Sequence, residues 1–311
     1  AQVNPTEDMV VSNGDSLVIP FETINTGGTS TYTWTNTDPT TGLENSGSSD
    51  IGFTAVNTGT SPIVTTVVVT PGFENGGNSN SGSANTFVIT VNPTAQVDPI
   101  NNVVVCNEEV LDPTVFTTQN TGGVTTYSWT NDNTSIGLSS SGAGSIAGFT
   151  AINTSLISQL ATITVTPTFE NAGVSNTGLS ETFTITVNPS AQVEPIPNQV
   201  LCNQEFTEEI IFTTENIDGT TSYSWTNDNV AIGIAAAGDG NISSFVSANV
   251  AASSISSTIT VTPTYTNTGI ICTVISETFT ITVNLSAYVE PIPNQALCNQ
   301  EFTEDIISTT E

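Results

Sequence analysis

Phe183-Thr184-Ile185-Thr186-Val187-Asn188 alternates apolar and polar side chains, and the phrase occurs three times, first as Phe87-Val88-Ile89-Thr90-Val91-Asn92 and again from Phe279 to Asn284. Alternation with a period of two sends successive side chains to opposite faces of a strand, one face for a core and one for water. Ala161-Thr162-Ile163-Thr164-Val165-Thr166 obeys the same rule, and no helical period competes with it. Clusters such as Thr121-Gly122-Gly123 and Ser141-Gly142-Ala143-Gly144 punctuate the runs as turns.

Working outward, whole units recur. Ala1-Gln2-Val3 returns as Ala95-Gln96-Val97, Ala191-Gln192-Val193 and Ala287-Tyr288-Val289, in steps of 94, 96 and 96 residues. Tyr32-Thr33-Trp34 returns as Tyr127-Ser128-Trp129 and Tyr223-Ser224-Trp225, and Thr70-Pro71 as Thr166-Pro167 and Thr262-Pro263. A fixed long period marks a tandem array. The expected domains are residues 1–94, 95–190 and 191–286, followed by the truncated start of a fourth at 287–311, of which 21 of 25 residues match the start of the third. About seven short strands in about 95 residues, without helix, predict an all-β chain of immunoglobulin-like sandwiches. Trp34, Trp129 and Trp225 are the largest side chains available to each core, and the expectation is that they anchor it.

Composition excludes much chemistry. The 311 residues hold 29 Asp and Glu and no Lys, Arg or His, for a formal charge of −29. Without lysine or histidine there is no Walker phosphate grip, no Ser-His-Asp or Cys-His nucleophile and no imidazole ligand. The expectation is therefore a protein that is not an enzyme. Nucleic acid and anionic membrane surfaces would meet only like charge, and no run of apolar residues is long enough to insert in a bilayer. The chain opens at Ala1 with no basic segment leading into an apolar run, which reads as a mature or excised part of something longer.

The phrases Thr126-Tyr127-Ser128-Trp129-Thr130-Asn131, Ser135-Ile136-Gly137-Leu138, Ile163-Thr164-Val165-Thr166-Pro167 and Phe183 to Pro189 resemble the PKD-like repeats of Bacteroidota. The resemblance covers all three complete units and the partial fourth. It departs from the classical PKD domain, where an Asp-Phe-Gly-Asp turn follows the tryptophan; here Thr226-Asn227-Asp228 follows Trp225. Such repeats form long arrays in very large surface proteins exported by the type 9 secretion system, gliding-motility adhesins among them. The resemblance implies an extracellular stalk or fibre segment of a cell-surface adhesin. Its partners would be neighbouring repeats, surface glycans or other surface proteins.

The resemblance also implies a disulfide between Cys202 and Cys272 inside the third unit, with Cys106 a free thiol and Cys298 awaiting a partner downstream. Closing that loop would stabilise by about 4 kcal/mol and implies an oxidising compartment. The alternative, four buried small hydrophobes, stays open.

No cofactor is expected, structural calcium excepted. Its candidate ligands are Asp98, Glu194 and Glu290 near the unit starts and the pairs Glu108-Glu109 and Glu208-Glu209, although no Asp-x-Asp-x-Asp-Gly loop occurs. Asp15-Ser16-Leu17 is a short match to the Bacteroidota O-glycosylation pattern. Absence of basic residues denies trypsin-like proteases a cleavage site in exposed loops. The short Val-Asn-Pro linkers at Pro93 and Pro189 should stiffen the junctions, whereas Leu285 at the third should let it bend. Two other readings remain open at this stage: carbohydrate-binding modules with exposed tryptophans, and a filament subunit in which residues 287–311 complete a neighbour's sandwich by strand addition.

Overall fold

The structure, a computed structural model, describes residues 1–273, 276–286 and 305. Packing groups the chain into two units, residues 1–103, 109–152 and 160–186 in the first, and residues 104–108, 153–159 and 187 onward in the second. Segments 104–108 and 153–159 of the second sequence repeat thus pack with the third repeat.

The first repeat supplies strands β1 (Met9–Ser12), β2 (Ser16–Ile19), β3 (Thr29–Asn36), β4 (Ser46–Ser48), β5 (Ile51–Thr54), β6 (Ile63–Asn75), β7 (Asn78–Ser81) and β8 (Asn85–Asn92). The second supplies β9 (Val103–Cys106), β10 (Val110–Leu111), β11 (Val124–Asn131), β12 (Ser141–Ala143), β13 (Phe149–Thr150), β14 (Gln159–Asn171), β15 (Val174–Thr177) and β16 (Glu181–Asn188). The third supplies β17 (Gln199–Cys202), β18 (Thr220–Asn227), β19 (Ala237–Asp239), β20 (Ile255–Asn267), β21 (Ile270–Thr273) and β22 (Glu277–Asn284). No α-helix occurs among the described residues.

Each repeat builds one large sheet in the same order: β1-β8-β6-β3-β4, then β9-β16-β14-β11-β12, then β17-β22-β20-β18-β19, with the hairpin strands β7, β15 and β21 added on β6, β14 and β20. A smaller layer, β2-β5 in the first repeat and β10-β13 in the second, completes the sandwich. In the third it is reduced to the bridges Phe206–Val246 and Ile210–Ile242. The outer strands β1 and β17 run parallel to β8 and β22, an arrangement that places Ser12 beside Asn92 and Cys202 beside Asn284. The chain is all-β, made of tandem immunoglobulin-like sandwiches.

The alternation seen in sequence sets the core. In β14 and β16, Ile163, Val165, Phe183, Ile185 and Val187 are buried while the intervening threonines are not. Trp34 lies in the first core with Phe21, Val69 and Phe87, and Trp225 in the third with Phe212, Val261 and Phe279. Each indole covers a glycine on the short strand opposite: a Cβ on Gly47, Gly142 or Gly238 would lie 2.3, 2.3 or 2.4 Å from the ring. Tyr32, Tyr127 and Tyr223 reach the same face and meet Phe21, Phe116 and Phe212 with ring centres 5.6, 5.6 and 5.5 Å apart.

After each tryptophan the Thr-Asn pair turns the chain. Buried Asn131 donates its amide to the Leu138 and Ser139 carbonyls and accepts from the Asn133 N–H. A single 3₁₀ turn, Thr134–Ile136, then ends at Gly137 with φ 91°. A side chain there would strain the backbone and meet the Thr150 carbonyl at 2.6 Å.

Candidate functional site

The repeats meet at their ends, and the chemistry of the chain concentrates there. In the first unit, Asn92 at the end of β8 and Asn171 at the end of β14 join amide to amide at 3.0 Å, and the Asn92 side chain also donates to the Asn171 and Val174 carbonyls. Asn176 on hairpin strand β15 donates to the Pro93 carbonyl at 2.8 Å and accepts from the Ala95 N–H at 3.1 Å. The Thr121 N–H donates to the Thr60 carbonyl at 2.8 Å. Ala95, the opening residue of the second repeat, is 2% exposed, lodged so close beneath the hairpin that a Cβ on Gly178 would lie 1.9 Å from its carbonyl.

The second unit holds the next junction, built from the corresponding positions. Asn267 donates to the Ser158 hydroxyl at 2.7 Å, which donates to Asn188 at 2.9 Å. The Ile217 N–H donates to the Leu156 carbonyl at 3.1 Å. Tyr265, fully buried, donates its hydroxyl to the Ile217 carbonyl at 2.9 Å. It packs with Ala191, Cys272, Cys106 and Ile270.

At this junction the cysteine expectation needs correcting. Cys106, at the end of β9, is bonded to Cys272 on hairpin strand β21, with a Cα separation of 5.6 Å and 166 residues between them in sequence. Cys202 is the exposed free thiol. The reason is geometric. Leu201 lies beside Val283, which faces Ile255 at the start of β20, whereas Cys272 faces Tyr265, ten residues further along that strand. Ten residues of strand span roughly 33 Å, and a disulfide needs Cα atoms within about 7 Å. Within one repeat the two cysteine sites therefore stand at opposite ends; only the end of one repeat and the hairpin of the next bring them together. Cys298 lies outside the described residues.

The staggering of the cysteines carried this signal. Pairing inside repeats leaves Cys106 opposite Asn176, whereas pairing from one repeat to the next matches Cys106 with Cys272 and Ser12 with Asn176. Sequence reasoning also missed the asparagines. Asn57, Asn153 and Asn249 are 1, 3 and 5% exposed. Each gives its amide protons to two carbonyls, Asn153 to Ile157 and Val187 at 2.8 and 2.7 Å, and each donates its backbone N–H to the amide oxygen of a second asparagine, Asn13, Asn107 or Asn203.

Trp34, Trp129 and Trp225 are buried, 7, 7 and 8% exposed, and their indole N–H groups have no partner. A shallow cleft is lined by Trp225 together with Ser224, Thr226, Gly238, Asp239 and Thr262. Among the expected calcium ligands, Glu194, Glu208 and Glu209 line one cleft with Pro195 and Ile210. Asp98 accepts from the Thr117 hydroxyl at 2.6 Å and from Gln119 at 3.2 Å. Glu290 lies outside the described residues, as does the segment 287–311 proposed for strand addition. No group of three His, Cys, Asp or Glu that could hold a metal ion occurs among the described residues. No helix among them is long and apolar enough to cross a membrane.

No family model and no curated protein matches this chain. Solved structures similar to it include the I9-I11 tandem of titin, at 11% identity over 92% of this chain and 99% of that one, with a TM-score of 0.30. Mouse protocadherin-24 EC1-3 shares 12% identity over 92% and 98%, with a TM-score of 0.35. The three N-terminal domains of the bacteriophage RB49 highly immunogenic outer capsid protein share 11% over 88% and 95%, with a TM-score of 0.38. At such scores these likenesses carry no argument about function.

Proposed function

We propose that the chain is a non-enzymatic stalk segment of a large secreted surface adhesin, in which sandwiches spanning residues 1–94, 95–190 and 191–286 serve as spacers and load bearers. The observation that carries this reading is the Cys106–Cys272 bond, which ties one repeat covalently to the next where a binding protein would need only to fold each repeat separately. A disulfide supports an oxidising, extracellular setting. Dispersed charge of −29 without cations favours separated over collapsed repeats. The finer assignment, to type 9-secreted adhesins used in gliding or attachment, rests on the resemblance of the Tyr-Ser-Trp-Thr-Asn and Phe-Thr-Ile-Thr-Val-Asn phrases. The core positions of Trp34, Trp129 and Trp225 do not favour the carbohydrate-binding reading.

Small-angle X-ray scattering tests the spacer role. A compact globule of 311 residues has a radius of gyration of about 19 Å. An extended array gives a value well above that, and a measured value near it contradicts the proposal.

A further inference from the structure

The end of the third repeat repeats the arrangement that receives a neighbour at the ends of the first two. Cys202 lies beside Asn284 in the register that sets Ser12 beside Asn92. The Cys202 N–H donates to the Glu205 carboxylate at 2.8 Å, as the Ser12 N–H does to Asp15 at 2.8 Å. Asn203 reaches the Ser286 hydroxyl at 3.3 Å as Asn107 reaches Ser190 at 2.9 Å. The Ser254 hydroxyl donates to Asn284 at 2.8 Å as Ser158 donates to Asn188 at 2.9 Å. What differs is the cover. Ser158 also receives the Asn267 amide, and Asn188 is fully buried; Asn284 is partly exposed, Leu285 is 36% exposed and Cys202 is an exposed thiol.

We propose that this end face is a docking and cross-linking site for a fourth sandwich of the same kind, the one that residues 287–311 begin, and that Cys202 bonds to a cysteine on that repeat's hairpin at the position Cys272 occupies in the third. The occupant follows from the sequence after Ser286, of which 21 of 25 residues match the start of the third repeat. It follows also from the face itself, where Asn284 stands at the position from which Asn92 and Asn188 bond to the next repeat, and Ser254 and Cys202 stand at the positions from which Ser158 and Cys106 do. The bond forms as two thiols give up two protons and two electrons to a small-molecule disulfide oxidant such as oxidised glutathione, which leaves as two thiols. Each repeat so joined passes its staple one repeat onward. This inference rests on the tandem-array reading and specifies its covalent linkage.

The direct test extends the full chain after Glu311 with a copy of residues 216–286, which completes the fourth repeat, in versions with Ser308 and with Ser308→Phe to restore the core aromatic. After folding in a glutathione redox buffer, cleavage with a Glu-specific protease and non-reducing mass mapping should show Cys202 joined to the copied cysteine and lost to alkylation, with Cys298 alkylated. Replacing the copied cysteine by asparagine should return Cys202 to full alkylation. Alkylated Cys202 in the folded extension, or a bond from Cys298 to the copied cysteine, overturns the proposal. A second experiment needs no fourth repeat. Ser12→Cys with Asn176→Cys in the 311-residue chain places thiols at the corresponding junction positions, and a new disulfide between them is expected; two alkylated thiols there would refute the staple as a property of the junction. An extended scattering envelope with Cys202 alkylated would leave the stalk standing and remove only the linkage, whereas a compact envelope would strike the stalk itself.

Discussion

Asn153 shows how a chain without lysine, arginine or histidine fixes its loops. Its side chain is 3% exposed and donates to the Ile157 and Val187 carbonyls, holding the loop before β14 to the end of β16. Replacing it with alanine takes the amide donor from the Val187 carbonyl and the acceptor from the Ser155 N–H, at about 1–3 kcal/mol each, while the Ile157 carbonyl keeps the Ser155 hydroxyl. Asn153→Ala is expected to lower the unfolding free energy by about 2–4 kcal/mol, measured by urea denaturation followed through tryptophan fluorescence; a loss below about 0.5 kcal/mol would refute the role. Charge acts through a few carboxylates. The Thr258 N–H and the Ser257 hydroxyl donate to Asp228 at 2.7 and 3.0 Å and hold it below the usual range. The Thr40 hydroxyl and N–H do the same for Asp38. A carboxyl with a lowered folded pKa stabilises the fold above its unfolded value of about 3.9 and loses that contribution as pH falls through the folded value. Asp228→Asn should therefore weaken the drop in melting temperature between about pH 5 and pH 2; an unchanged drop counts against the assignment. At the alkaline end, burial raises the Tyr127 and Tyr223 phenols, so their contribution is present below about pH 10 and lost as pH rises through the folded values. The tryptophans were legible as single large side chains at a repeated strand position. The asparagines were not, because asparagine in a sequence marks a turn whether its amide faces water or a buried carbonyl.

Strands were legible wherever alternation met the core, as in β14, β16, β20 and β22. The smaller layer was less so, because in the third repeat it is held by isolated bridges that leave no alternating run. Cysteine pairing was half hidden for a reason particular to arrays. Two sites that recur with every repeat have the same spacing whether they pair within a unit or with the next one; the stagger that leaves Cys106 opposite Asn176 inside its own repeat, and the opposite positions of the two sites along the sheet, are what separate the readings. Linker behaviour likewise depends on contacts as well as on proline. Pro93 offers its carbonyl to Asn176, and Ala95, two residues on, is clamped beneath the β14–β15 hairpin. Gly178 permits that approach. Gly178→Ala places a Cβ 1.9 Å from the Ala95 carbonyl, and the linker must move away. Amide hydrogen exchange at Ala95 should then accelerate by about tenfold or more, equivalent to about 1.4 kcal/mol of lost protection; unchanged exchange would show that the hairpin does not hold the linker.

For the whole chain, composition excludes a great deal and the junctions supply the positive content. Stretched between its ends, a protein cross-linked from Cys106 to Cys272 passes load through the sulfur bridge, so the 166-residue span between them is shielded from extension. In the chain-entropy model a loop of that size stabilises by about 5 kcal/mol against unfolding. At about 3.3–3.6 Å per residue, the shielded span amounts to roughly 550–600 Å of contour length. Single-molecule force spectroscopy on the full chain, oxidised and then reduced, therefore reads the bond out as length. The reduced chain is expected to extend further than the oxidised one by roughly 550–600 Å. Equal contour lengths in the two states would contradict a covalent bond between successive repeats and the load-bearing role built on it.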